Sequence, residues 1–297
     1  METADLLKRV ARVELKAQHL ARSRFAGLYH SAFRGQGMEF AEVREYAEGD
    51  DIRLIDWNVS ARSQSLYVKR MIEERERNVL VILDVSGSLN FGSARRTKFD
   101  LMVEIAAVFV LAAFNARDRV SLALARSQVE LYVPPAKGWN HAARLIRHMA
   151  ASRPDGFTKD LDPVWSFLNA PGVPRSLVLF LTDFEAPLQP SNSFAVACRK
   201  HELVVAMASD SREWELPRIG RIWLRNPENG ELFLLNTNSD DRRRAYEKNA
   251  QERRLGLIRL LRSQGVDWIE FDTASDYEVT LRRFLAERSA RRGYRRQ

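Results

Sequence analysis

NVLVILDVSGS, residues 78–88, is the stretch on which the fold of this chain turns. Val79 to Leu83 form an unbroken apolar run rich in β-branched residues and ending on Asp84, the composition of a strand buried on both faces of a parallel sheet. The polar LNFGSARRT that follows reads as a loop. KFDLMVEIAAVFVLAAF (98–114) is too long and too alanine-rich for a strand and reads as a crossover helix. Downstream the alternation repeats. RVSLALA (119–125), VELYVPP (129–135), SLVLFLT (176–182), ELVVAMA (202–208) and VDWIEFD (266–272) have strand composition. HAARLIRHMA, FAVACRKH, a charged stretch over roughly 240–263 and a segment near 276–288 read as helices. Asn229-Gly230 predicts a hairpin, an antiparallel addition near 221–236. The expected fold is α/β, a doubly wound and mainly parallel sheet.

Upstream of this unit the text changes. Residues 4–22 place Leu6, Val10, Val13, Ala17 and Leu20 on one helical stripe, with Lys8, Arg9, Arg12 and Lys16 off it, which predicts an amphipathic docking helix. From about 27 to 77, Gly27, Gly35, Gly37 and Gly49 punctuate short polar pieces, so loops and short strands are expected in an appendage. GDDIRLIDWNVSAR (49–62) clusters Asp50, Asp51, Arg53, Asp56 and Arg62 around Trp57, and reads as an ion-paired corner holding the appendage to the sheet domain, with Trp57 as core, in preference to a surface read by a partner.

The chain has 297 residues, 45% of them hydrophobic, enough for one large core or two modest ones. No stretch approaches the roughly 20 apolar residues of a membrane span, and the charged METADLLKRVARVELK does not match a signal peptide, so a cytoplasmic location is expected. The single Cys198 has no internal disulfide partner and reads as core filling. The net charge of +8 sits mainly at the end: residues 241–297 hold fifteen basic and nine acidic side chains, against thirty-two and thirty before them. The closing RSARRGYRRQ reads as a solvated, frayed terminus. Its alternative is an anionic-surface binder for nucleic acid or lipid, which the scarcity of interleaved aromatic residues argues against, and no DNA partner is expected.

D-V-S-G-S at 84–88 stands immediately after the buried strand, where open α/β sheets place their ligands. One carboxylate and two hydroxyls on alternate residues suit a hard cation, which prefers oxygen ligands and, for Mg²⁺, few carboxylates. LFLTDFE supplies Asp183 just past a second buried strand, and PDGFTKDL supplies Thr158 in a glycine-containing loop. Asp84, Ser86, Ser88, Thr158 and Asp183 are therefore the candidate metal ligands. The competing structural reading is a turn whose side chains cap backbone amides.

These five residues resemble the metal-ion-dependent adhesion site of von Willebrand factor A domains, in which D-x-S-x-S, a distant Thr and a later Asp surround one divalent ion. The longer stretch HSAFRGQGMEFAEVREYAEGDDIRLIDWNVSARSQSLYVKRMIEERERNVLVILDVSGS is similar to the bacterial family called domain of unknown function 58. L-P-x-x-G (216–220), N-G-E (229–231) and the closing helix extend that likeness over nearly the whole chain. The resemblance implies a von Willebrand factor A-like, Rossmann-like domain over 78–290, an N-terminal helix and appendage over 1–77 and a basic tail over 291–297. It also implies Mg²⁺, or Mn²⁺ or Ca²⁺, at the five donors, with a coordination position left for an acidic residue of a client protein. A MoxR-type AAA+ ATPase is the implied partner, in assembly or activation of other proteins.

Other chemistry is poorly supported. The chain has no G-x-x-x-x-G-K-[ST], no G-x-S-x-G and no H-E-x-x-H. His141 and His148 lie two helical turns apart, about 10 Å, too far for one zinc. A metal-dependent hydrolase or phosphatase is the alternative to a binding adaptor, and it lacks a D-x-D pair and a nearby general base. A non-enzymatic role is therefore expected.

Overall fold

A computed structural model describes residues 3–294 except 23–24, 34–37, 64, 74–75, 159, 186–187 and 226–230. The chain opens with helices α1 (Thr3–Arg22) and α2 (Phe25–Ala32) and an antiparallel ribbon, β1 (Met38–Glu45) with β2 (Tyr67–Glu73). Between the ribbon strands lie a 3₁₀ turn (Ile52–Leu54) and the short α3 (Trp57–Ser60). Next come β3 (Asn78–Asp84), a 3₁₀ turn (Gly87–Asn90), α4 (Lys98–Asn115), β4 (Arg119–Ala125), β5 (Val129–Ala136), α5 (Trp139–Ala151) and α6 (Asp162–Asn169). Then follow β6 (Leu177–Thr182), α7 (Asn192–Lys200), β7 (Glu202–Ser209) and α8 (Ser211–Trp214). The chain closes with β8 (Arg221–Arg225), β9 (Leu232–Asn236), α9 (Asp240–Ser263), β10 (Asp267–Asp272) and α10 (Tyr277–Tyr294).

The central sheet has the order β10-β7-β6-β3-β4-β5 and is parallel throughout except for β5, which returns antiparallel beside β4. β3 is one of the two central strands, with β6 beside it. The chain leaves it first toward β4 and later toward β6 on its other side, so the strand order reverses around it and its carboxyl end faces the crevice where such sheets hold ligands. Both faces of β3 are covered. Val79, Val81 and Leu83 belong to a core shared with α1, α2, α4, α5 and α10, while Leu80 and Ile82 face Trp165 of α6, Phe194 of α7 and Leu261 of α9. Each such side chain, fully buried, stabilises the fold by about 1.5–3 kcal/mol. This two-sided burial is why the strand reads as continuous apolar text rather than alternating.

α4 begins with a capping box between Thr97 and Asp100 and is buried on nearly every side, which accounts for its alanine content. The α1 stripe docks as expected from Val10 onward, with Val10, Val13, Ala17 and Leu20 buried and Arg9 paired to Asp100 at 2.8 Å, while the Leu6 side chain lies outside what the structure describes. α2 corrects the expectation of loops from residue 27 onward. Phe25, Tyr29 and Phe33 surround Phe109 of α4, and the Tyr29 hydroxyl donates to Asp118 at 3.0 Å, so tertiary packing overrides the helix penalty of Gly27.

The acidic corner also differs from its reading. Asp50 pairs with Arg44, and Asp56 with Lys69 at 3.6 Å, so among the described residues its ion pairs stay within the appendage. Asp51 and Asp56 spend their carboxylates as N-caps of the 3₁₀ turn and α3. Trp57 is 65% exposed rather than core. At the far end, α10 runs on to Tyr294, and Arg288 is buried, donating to Asp267, Glu202 and the Ala32 carbonyl, so this part of the basic terminus is a structural clasp. β8 and β9 pair antiparallel as a separate two-stranded sheet, and the Asn229-Gly230 turn lies outside the described residues. Among the described residues no helix is long and apolar enough to cross a membrane.

Candidate functional site

Asp84 is the last residue of β3, at the switch point, and is 4% exposed. Parallel pairing sets Leu83 opposite Leu181 and so brings Thr182 of β6 alongside Asp84. The Thr182 hydroxyl donates to Asp84 Oδ2 at 2.6 Å, and the Ser86 amide donates to Oδ1 at 2.8 Å. Burial first, and then the negative charge of Asp183, push the Asp84 carboxyl up to about 6. A buried carboxylate so placed gains from any cation that reaches it.

Ser86 stands at the N-cap of the 3₁₀ turn, yet its hydroxyl caps no amide. It shares a hydrogen bond with the Ser88 hydroxyl at 3.1 Å instead. The turn reading therefore accounts for Asp84 Oδ1 but not for the two serine hydroxyls.

The loop carrying Thr158 is fastened to this turn through the backbone. Asp155 N donates to the Val85 carbonyl at 3.0 Å, Gly87 N to the Gly156 carbonyl at 2.9 Å, and Asn90 Nδ2 to the Pro154 carbonyl at 2.8 Å. A Cβ on Gly87 would stand 2.8 Å from the Gly156 oxygen, so only glycine allows this approach. Thr158, two residues on, is buried, and its Oγ1 has no hydrogen-bond partner. Buried hydroxyls are nearly always satisfied, so an orphan on the loop fastened to the serine turn is a donor that suits an oxygen-seeking cation.

Asp183 follows Thr182 and is close enough for its charge to act on Asp84. Its Oδ2 accepts from Lys98 Nζ at 2.8 Å, and its Oδ1 accepts from the Glu185 amide at 3.2 Å. Lys98, first residue of α4, is itself buried and also donates to Glu213 of α8. Burial opposes its charge, but the carboxylates of Asp183 and Glu213 outweigh that and hold the ammonium above its usual range. Burial pushes Glu213 up to about 7 despite the opposing pull of Lys98. Asp183 thus adjoins the Asp84 cluster with Lys98, which it shares with Glu213, as its counter-charge. Among the described residues no group of three or more His, Cys, Asp and Glu gathers for a metal.

Thr182, Lys98 and Glu213 were not expected. Thr182 stands in the L-T-D text, one position before Asp183, whereas no local signal marks Lys98, the first residue of α4.

The fold and cluster together define a doubly wound α/β domain with a carboxylate and hydroxyls at its switch point. The chain belongs to the family described as "Protein of unknown function DUF58", which matches residues 42–256. Uncharacterized proteins of Mycobacterium bovis and Mycobacterium tuberculosis are 31% identical to it over 264 residues, covering 87% of this chain and 81% of each relative. Among solved structures, the conserved hypothetical protein BatB of Bacteroides thetaiotaomicron is 11% identical over 72% of this chain and 99% of its own, with a TM-score of 0.45. A von Willebrand factor type A protein of Catenulispora acidiphila is 13% identical over 59% of this chain and 41% of its own, with a TM-score of 0.34.

Proposed function

We propose that this chain is a protein-binding adaptor whose grip depends on a divalent cation, Mg²⁺ in the first instance, and that it performs no chemistry of its own. The observation that carries the reading is the partnerless, buried Thr158 hydroxyl on the loop whose Gly156 carbonyl fastens it to the Ser86–Ser88 turn. Asp84, Ser86, Ser88 and Thr158 would hold the ion, with Asp183 adjoining. Bound there, the ion supplies an electrophilic position for an incoming carboxylate. Thr182 keeps Asp84 oriented through its hydroxyl, and the glycine contact at residue 87 keeps the Thr158 loop against the serine turn. Lys98 offsets part of the charge of Asp183, and a cation held by one carboxylate and hydroxyls retains demand for an anionic ligand.

The partner side of the proposal is an acidic residue of a client protein, and a MoxR-type AAA+ ATPase working with the adaptor on client assembly or activation. Support for the ATPase comes from the family resemblance and from the absence of a phosphate-binding loop in this sequence. The test is capture of the purified MoxR-type ATPase by wild type and by Asp84→Ala, in Mg²⁺ and in chelator. Capture by wild type in Mg²⁺ alone supports the reading. Equal capture under all four conditions removes it.

A further inference from the structure

We propose that the β8–β9 ribbon is a docking device for an anionic membrane surface. Cross-strand pairing sets Trp223 opposite Leu234 and Arg225 opposite Leu232, so Arg221, Trp223, Arg225, Leu232 and Leu234 share one face. That face is open: Trp223 is 67% exposed, Leu232 64% and Leu234 45%. On the opposite face Ile222, Leu224 and Leu235 are half-buried and only Phe233, 46% exposed, stands out, so the Trp223 face is the one left for an occupant.

The charges match the same occupant. Among the described residues Arg221 and Arg225 make no ion pair, while Arg218 at the ribbon's base is paired to Asp240 at 2.6 Å. Arg225 instead lies over the Phe157 ring, 5.7 Å from its centroid. Two arginines flanking a tryptophan suit the interface, where the guanidinium meets lipid phosphate and the indole sits at headgroup depth. The ribbon has two unpaired edges, whose amides and carbonyls need water or headgroups, so it lies in the interface and does not enter the hydrocarbon. The base is firm: Thr237, fully buried, donates both its amide and its hydroxyl to the Gly220 carbonyl.

The test is co-sedimentation of the full chain, in chelator, with vesicles of phosphatidylglycerol and phosphatidylcholine and with vesicles of phosphatidylcholine alone. Wild type binds the anionic vesicles, and the binding weakens with salt. Trp223→Ser/Leu234→Ser weakens it by roughly tenfold or more. Arg221→Gln/Arg225→Gln weakens it by roughly tenfold at low salt, a difference that shrinks at high salt. Arg295→Gln/Arg296→Gln, at the end of the chain, leaves it intact. Far-UV circular dichroism unchanged from wild type shows that the variants fold. Wild type that ignores both vesicles, hairpin variants that bind as wild type does, loss on changing the terminal arginines, or loss in chelator but not in Mg²⁺ would each overturn the proposal. Because the binding is read in chelator, it stands or falls separately from the cation reading.

Discussion

Replacing Thr158 by valine separates a cation ligand from a structural residue. The hydroxyl is buried and unpartnered, and such a group costs about 1–3 kcal/mol when nothing satisfies it. Valine keeps the shape and removes the orphan. In chelator Thr158→Val should therefore be more stable than wild type by about 1 kcal/mol, a rise in Tm of roughly 2 °C for a chain of this size. In Mg²⁺ the order should reverse. Wild type at a hundred times its Kd gains about 2.7 kcal/mol from binding the folded state, and the variant, short of one donor, gains much less. Thermal melts of both proteins with chelator and with Mg²⁺ read the crossing. A variant less stable than wild type in chelator, yet equally stabilised by Mg²⁺, would show that the hydroxyl has a structural use and no part in cation binding.

Four further outcomes follow from the same geometry. The Asp84 carboxyl sits near 6 in the fold and near 4 in the unfolded chain, so the native state keeps a proton that the unfolded state releases. Stability in chelator should fall by about 3 kcal/mol as pH rises from about 4 to about 6, and urea titrations of Asp84→Asn should lack that fall. Gly87→Ala drives a Cβ against the Gly156 oxygen and should cost about 1–3 kcal/mol in urea denaturation while weakening Mg²⁺ binding. Lys98→Met strands Asp183 and Glu213 and should cost about 3–5 kcal/mol in the same assay, with Lys98→Met/Glu213→Gln recovering part of the loss. Arg288→Ala removes the clasp between α10, β7 and β10 and should lower the urea midpoint with no effect on Mg²⁺ affinity.

Much of the sheet could be read from sequence because burial on both faces writes itself as unbroken apolar text. Val79 to Leu83 and Leu177 to Leu181 are such runs, and each ends where a candidate donor stands. α2 was hidden because Gly27 and a short length weaken the helical signal, while its cause, the packing of Phe25 and Tyr29 on Phe109, is non-local. α6 was missed for a related reason: eight residues starting at Asp162-Pro163 give too few turns for a period to show, though Trp165 buries among α7 and β6. Within the cluster, Asp84, Ser86 and Ser88 were readable from spacing alone. Local text cannot show that Lys98 reaches Asp183, because the pair closes a separation of 85 residues. Trp57 misled because an aromatic residue amid charges is usually core, and here the aspartates around it are occupied as caps and leave it outside.

Mn²⁺ titration of the chelator-stripped chain, followed by electron paramagnetic resonance, tests the cation site most directly. Saturable binding of a single Mn²⁺, displaced by Mg²⁺ and lost in Asp84→Ala and Ser86→Ala, is the predicted result. A chain that leaves all Mn²⁺ free, or an Asp84→Ala variant that binds it as tightly as wild type, would contradict the assignment.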